Sequence, residues 1–228
     1  MLKNIEIIFF HIEKAMGSSL RIMLNDYFKN IYNEDEIYLP KKYNNINLIN
    51  INNYNYIDNL DNDFKILLCH VSYKTELTKN ICNNILSISC VRNPYTRIIS
   101  HYYFFDYIKY KKKLYELDKN EIIEILNNCG NLISKRLGSK KNINEINYIL
   151  IMENIDDDLN KLNIILNNKY NKDINLKLIK ANTNKKHNDS LQFDMIFLER
   201  YKEHFQKDIE LYNYIVSLPI NKRLKNKN

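Results

Sequence analysis

FFHIEKAMGSSLRIML, Phe9 to Leu24, decides how the chain is read. It completes the apolar run Ile5–Phe10, which has the short, unbroken character of a strand buried on both faces. From Ser18 to Phe28 the spacing changes, and Leu20, Met23, Leu24 and Tyr27 share one face of a helix. Between the two lies the turn His11 to Ser19, which holds one of only three glycines in the chain. A helix that starts there presents backbone N–H groups without intrahelical partners, at the positive end of its dipole. With the Lys14 ammonium and the Ser18 and Ser19 hydroxyls, those donors form a cradle for a phosphate-like anion. The same residues also satisfy an ordinary serine N-cap beside a surface lysine. A Walker loop is disfavoured, because the lysine precedes the glycine and no first glycine exists.

The alternation continues outward. Lys65–Cys69, Leu86–Val91 and Tyr148–Met152 read as further buried strands. Helical spacing covers Pro94–Tyr110, with Ile98, Ile99, Tyr102, Phe105 and Ile108 as its apolar face, and then Glu121–Leu137, Ile155–Leu166 and Phe193–Ile215. Asp156 to Asp158 suit the first turn of their helix. Strands alternating with helices imply βαβ crossovers and an α/β sandwich, in which ligands gather at the carboxyl ends of strands. At the third such end, SISCVRNPYTRIISHYYF (Ser87–Phe104) places Arg92 and Ser100 where a guanidinium and a hydroxyl converge on an anion, or where an arginine ties a loop to a helix. The second end, LLCHVSY (Leu67–Tyr73), supplies His70. The Asn-rich stretch Tyr43–Asp63 carries no chemistry that we identify.

The 228 residues fit one domain spanning 1–228, and a formal charge of +7 suggests an anionic partner. The basic run Lys222, Arg223, Lys225 and Lys227 reads as a solvated tail over about 220–228. Cys69, Cys82, Cys90 and Cys129 show neither zinc spacing nor Cys-x-x-Cys pairing, and read as free thiols. No leader and no apolar run of membrane-spanning length is present in the chain as given, which therefore reads as soluble and cytoplasmic. The abundant aromatics, Phe9, Phe10, Tyr102 and Phe105 among them, read as core, which argues against a nucleic-acid or polyanion-binding module. A nucleotide kinase or NTPase would need a glycine-rich loop and an acidic magnesium ligand, neither evident here.

Taken together, Lys14-x-x-Gly17-Ser18-Ser19 and Arg92-Asn93-Pro94 with Ser100 resemble the cofactor site of sulfotransferases that use 3′-phosphoadenosine 5′-phosphosulfate (PAPS). His70-Val-Ser-Tyr73 and Val91-Arg-Asn-Pro-x-x-Arg-x-x-Ser-x-Tyr-Tyr-Phe104 look like the carbohydrate sulfotransferases that include the heparan sulfate and uronyl 2-O-sulfotransferases. Asn131–Leu137, Met152–Leu159, Ala181–His187 and Asp208–Tyr212 extend the resemblance over most of the chain. It implies an α/β fold, a P-loop-like three-layer sandwich with a central parallel sheet of about four to five strands flanked by helices. It further implies that Lys14, Ala15, Met16, Gly17, Ser18 and Ser19 hold the 5′-phosphosulfate, with Lys14 stabilising the leaving phosphate. Arg92 and Ser100 would hold the 3′-phosphate, Thr183 and Lys186 would close over the nucleotide, and His70 would be the general base. The product would be 3′,5′-ADP (PAP), no metal is required, and the acceptor would be a glycan or another hydroxyl-bearing molecule. Members with glycan acceptors commonly reside in the Golgi, which makes the Golgi lumen the alternative compartment if an anchor has been removed. This chain departs from the family's Pro-Lys-Thr-Gly-Gly-Thr-Ser by having Glu13 beside the lysine, where a carboxylate repels a dianion unless it points away, and by Leu68 where the nearest relatives carry a second histidine.

Overall fold

The computed structural model describes residues 6–33, 37–38, 66–69, 85–176 and 190–225, with 37–38 and 66–69 described by backbone alone. The architecture is α/β, a parallel sheet flanked by helices. Its strands are β1 (Ile7–Phe10), β2 (Ile37–Tyr38), β3 (Ile66–Cys69), β4 (Leu86–Val91) and β5 (Tyr148–Ile151), hydrogen-bonded in the order β2-β3-β1-β4-β5. All four pairings are parallel, and Phe10, the last residue of β1, lies between Cys69 of β3 and Ser89 of β4. β1 is thus central, which explains why its run is apolar throughout rather than alternating.

Successive β1 residues point to opposite faces. Ile7 and Phe9 pack with Leu20, Met23, Leu24 and Tyr27 of α1 (Gly17–Phe28). Ile8 and Phe10 pack on the other face, against Ile133 and Leu137 of the short helix Leu132–Leu137 and Leu211 and Ile215 of the helix Gln206–Ser217. The apolar face read for α1 is therefore the buried one.

Three helical segments differ from their sequence reading. The stretch Glu121–Leu137 is two helices, Lys119–Cys129 and Leu132–Leu137, broken at Gly130, where a Cβ would stand 2.8 Å from the His204 carbonyl oxygen. Phe193–Ile215 is likewise divided, into Leu191–Glu199, a 3₁₀ turn Lys202–Phe205 and Gln206–Ser217. Pro94–Tyr110 is α2 (Pro94–His101), a π turn (Tyr102–Asp106) and a last turn Tyr107–Tyr110. A π turn adds a residue to the repeat, so the 3.6-residue periodicity loses register beyond it. Ile98, Ile99 and Tyr102 are buried as read, but Phe105 is 39% exposed and Ile108 77%, so neither is core.

The solvated-tail reading of 220–228 also needs correction. Arg223 is buried, donating to Asp158 through both Nη1 and Nη2 at 2.7 and 2.9 Å and to the Ile149 carbonyl at 3.0 Å. Leu224 bridges to Tyr148, and Lys225 Nζ donates to the Ile146 carbonyl at 3.0 Å. The segment seals the edge of β5, and Lys227 lies outside the described residues. Asp158, in the first turn of the helix Ile155–Tyr170, accepts from the Ile151 N–H as well, so it serves a buried ion pair and not only the helix dipole.

Cys90 and Cys129 are buried thiols outside any disulfide, and burial pushes both thiols up, Cys129 to about 12. Cys69 is described by its backbone alone, and Cys82 lies outside the described residues. Among the described residues no helix is long and apolar enough to cross a membrane.

Arg97 of α2 is wholly buried and pairs with Asp208 at 3.3 Å. Arg97→Met leaves the Asp208 carboxylate buried and uncompensated, and the expected loss of stability is about 3–5 kcal/mol. A lower urea midpoint at unchanged slope would show it, whereas a loss below about 1 kcal/mol, the level of a surface pair, would contradict the assignment.

Candidate functional site

The turn between β1 and α1 is held in a conformation that most side chains avoid. Lys14 and Met16 have φ of 63° and 62°, while Ala15 and Gly17 between and after them do not take positive values. Left-handed backbone at two non-glycine residues costs on the order of 1–3 kcal/mol each, and such strain concentrates at functional sites. Such alternation is the backbone pattern of anion-binding nests, with the Ala15 N–H already given to the Ile12 carbonyl at 3.3 Å. The first N–H of α1 that bonds back along the helix is that of Leu20, to the Met16 carbonyl at 3.1 Å. Met16 provides no side-chain cap, and no acidic residue occupies the first turn. The ordinary serine cap therefore does not form: Ser18 makes no side-chain hydrogen bond among the described residues.

Gly17 is glycine for a steric reason. A Cβ there would lie 1.7 Å from Cδ2 and 1.9 Å from Nε2 of His11, whose buried imidazole covers the start of the helix. Ala15 is buried in the core, and its N–H donates to the Ile12 carbonyl at 3.3 Å, which closes the turn.

The Arg-Asn-Pro turn is explained locally. Asn93 caps α2 by accepting from the N–H groups of Tyr95 at 3.0 Å and Thr96 at 3.4 Å, and Pro94 fills the first helical position. Arg92 precedes the cap. Its Nε donates to Thr96 Oγ1 at 3.0 Å and its Nη1 to the Lys14 carbonyl at 3.3 Å. The arginine does tie its loop to the helix, and in doing so it joins the two sequence motifs across the ends of β1 and β4. Ser100 is half-buried on α2 and makes no side-chain hydrogen bond among the described residues.

The charges around this junction are unevenly distributed. Burial, then Arg92, lowers Lys14 to about 8, and burial is also the main cause that lowers Arg92. The neighbouring carboxylates are directed elsewhere. Glu13 is paired with Arg136 of the helix Leu132–Leu137, so the carboxylate beside the lysine is turned to another cation. Glu153, at the end of β5, accepts from the Asn93 N–H and the Tyr212 hydroxyl, both at 2.9 Å. Two cations at adjacent strand ends thus stand with a strained turn and without a carboxylate partner for Lys14 among the described residues.

Phe104 joins the site without having been singled out for it. The Lys14 ammonium lies over the Phe104 ring, 3.7 Å from its centroid. Ser100 and Phe104 are four residues apart on one helical face, and that spacing was the available signal. His101 lies tilted against Phe105, ring centroids 4.7 Å apart, and burial, with Arg97 next, lowers it to about 4, so it is neutral at pH 7. Of the other candidates, His70, Thr183 and Lys186 lie outside the described residues. No family model matches the chain, and no curated protein matches it.

The contact of Gly17 with His11 gives a direct test of the turn. Gly17→Ala overpacks it and is expected to cost roughly 1–3 kcal/mol. Combined with His11→Ala the loss should be partly recovered, with a coupling of at least about 0.5 kcal/mol in a double-mutant cycle of unfolding free energies. Strict additivity would show that the imidazole does not lie against Gly17.

Proposed function

We propose that the chain is a PAPS-dependent sulfotransferase that moves a sulfuryl group to a hydroxyl of a carbohydrate-type acceptor, on a P-loop-like sandwich of four to five parallel strands. The observation that carries this reading is the hydrogen bond from Arg92 Nη1 to the Lys14 carbonyl, which brings two anion-holding turns together at the ends of neighbouring strands. A donor with two separated anionic groups, a phosphosulfate at one end of its nucleoside and a 3′-phosphate at the other, matches two such turns better than a triphosphate does.

The residues fit that donor by their chemistry. The nest from Lys14 to Gly17 and the α1 N-terminus, with Ser18 and Ser19, offer donors for the phosphosulfate. Arg92 and Ser100 offer a guanidinium and a hydroxyl for the 3′-phosphate. When bound, the donor supplies an activated sulfuryl group. Lys14 places a cation where negative charge grows on the departing phosphate, and so stabilises the transition state more than the ground state. His70 would take the acceptor's hydroxyl proton, and in support β3 ends at Cys69, directly beside Phe10 at the end of β1. Thr183 and Lys186 would cover the nucleotide.

Thermal unfolding with 3′,5′-ADP, 5′-ADP and ATP plus magnesium tests the reading. A ligand at 100 times its dissociation constant adds roughly 2.7 kcal/mol, or about 5–10 °C for a chain of this size. The expected rise occurs with 3′,5′-ADP alone, and Arg92→Ala removes the advantage over 5′-ADP. A rise with ATP and magnesium would instead favour a kinase or NTPase, and no rise with any nucleotide would favour a polyanion- or nucleic-acid-binding protein.

Affinity for 3′,5′-ADP should also weaken as pH climbs through about 8, because Lys14 loses its proton there in the free protein. His70→Ala should retain nucleotide affinity and lose about 10²- to 10⁴-fold in transfer. Near-normal turnover of that variant on the acceptor would remove His70 from the mechanism.

A further inference from the structure

Among the described residues the Lys14 ammonium has one close partner with an electrostatic preference for cations, the Phe104 ring at 3.7 Å. Phe104 is 46% exposed, whereas Tyr102 and Tyr103 just before it are buried. Its placement follows from the π turn Tyr102–Asp106, closed by the Tyr107 N–H bonding back to the Tyr102 carbonyl. Such turns are rare and cluster at functional positions. The ring stands on the same face as Ser100, and against Phe105 at 4.6 Å.

We infer that Phe104 is the positioning residue of Lys14, an aromatic seat that holds the ammonium over the anion-binding turn until an anion arrives and then gives it up. The inference rests on the function proposed above and names how its lysine is kept ready. A carboxylate in place of the ring would hold the lysine as an ion pair and compete with an entering dianion. A ring face attracts the cation through its quadrupole while carrying no charge, so a phosphate displaces it readily. Among the described residues, the charged or titratable groups that act on Lys14 are Arg92 from the β4–α2 turn and His101 from α2, while the adjacent Glu13 is turned to Arg136. None of these offers the ammonium an attractive partner that Phe104 merely duplicates.

The test uses the free full-length chain. The rate at which an amine-acylating reagent modifies Lys14 is followed against pH by mass spectrometry in the natural protein, Phe104→Tyr and Phe104→Leu, with and without 3′,5′-ADP. Leucine keeps apolar cover but has no π face, so the charged form loses its attraction and the midpoint should fall by roughly 0.5 to 1 in pH. Tyrosine should keep the natural midpoint. An unchanged midpoint in Phe104→Leu overturns the seat. If that variant does not fold, Phe104→Met is read in the same way. Protection of Lys14 by 3′,5′-ADP in the natural protein supports the donor site separately. Its absence, together with a lowered midpoint in Phe104→Leu, would leave the seat standing and overturn the proposed donor.

Discussion

The arrangement of the site depends on a buried ion pair that does not touch it. Arg97 sits on α2 with its guanidinium out of water, and its Nη2 donates to the carbonyls of Cys129 and Gly130 and to Asp208. Asp208 in turn accepts the N–H groups of Ile133 at 2.9 Å and Ser134 at 2.8 Å, which open the helix Leu132–Leu137. One pair therefore sets α2 against both the break at Gly130 and the start of the helix that carries Arg136. Its value is positional. Burial raises the Asp208 carboxyl in spite of the opposing guanidinium, and Arg97 Nε and Nη1 find no hydrogen bond among the described residues, so desolvation consumes much of the attraction. What the pair secures is the direction of α2, hence of Ser100, His101 and Phe104, and the place of Arg136, hence of Glu13.

That last link explains how the chain tolerates a glutamate next to its key lysine. An unpaired carboxylate at Glu13 would neutralise Lys14 and repel an anion from the turn, whereas the Arg136 ion pair removes both effects at once. Glu153 differs: its oxygens accept from the Asn93 N–H and the Tyr212 hydroxyl, neutral donors that leave its charge in place, and it raises Arg92 against the effect of burial. Positive potential at the Lys14 turn thus depends on the diversion of Glu13 as well as on the cations supplied. Burial lowers Lys14 more than Arg92 does, and burial is also the largest cause that lowers Arg92, so the region is desolvated as well as positive. Both conditions strengthen attraction for a bound anion.

Much of this was legible in the residues. β1, α1 and β4 follow from apolar runs and one amphipathic face, and the Asn-Pro cap from residue type alone. The two-residue strand Ile37–Tyr38 carries too short a pattern to read. Gly130 and the 3₁₀ turn Lys202–Phe205 interrupt helices whose apolar spacing continues across them, so periodicity alone joins what the backbone separates. The basic run over about 220–228 reads as a tail because composition counts charges and not partners: Arg223 is matched by Asp158, 65 positions away in sequence. Long-range ion pairs of this kind, like those of Arg97 and Arg136, leave no local signature.

The π turn is where local pattern and tertiary demand diverge most. Continued as a regular helix, Pro94–Tyr110 would carry Phe105 and Ile108 on the face that buries Ile98 and Tyr102, and more apolar surface would leave water. The chain forgoes that burial over one turn, and the residue gained by the wider repeat is spent on presenting Phe104 and Phe105 at the surface beside Lys14. A feature that gives up core area at one place, next to a turn that already accepts two left-handed residues, shows local rules yielding at a single site. The rest of the sheet, from the buried faces of β1 to the sealed edge of β5, obeys those rules. The strand ends thus give fixed positions to Arg92 and the Lys14 backbone, while the lysine side chain is left with an uncharged partner that it can leave.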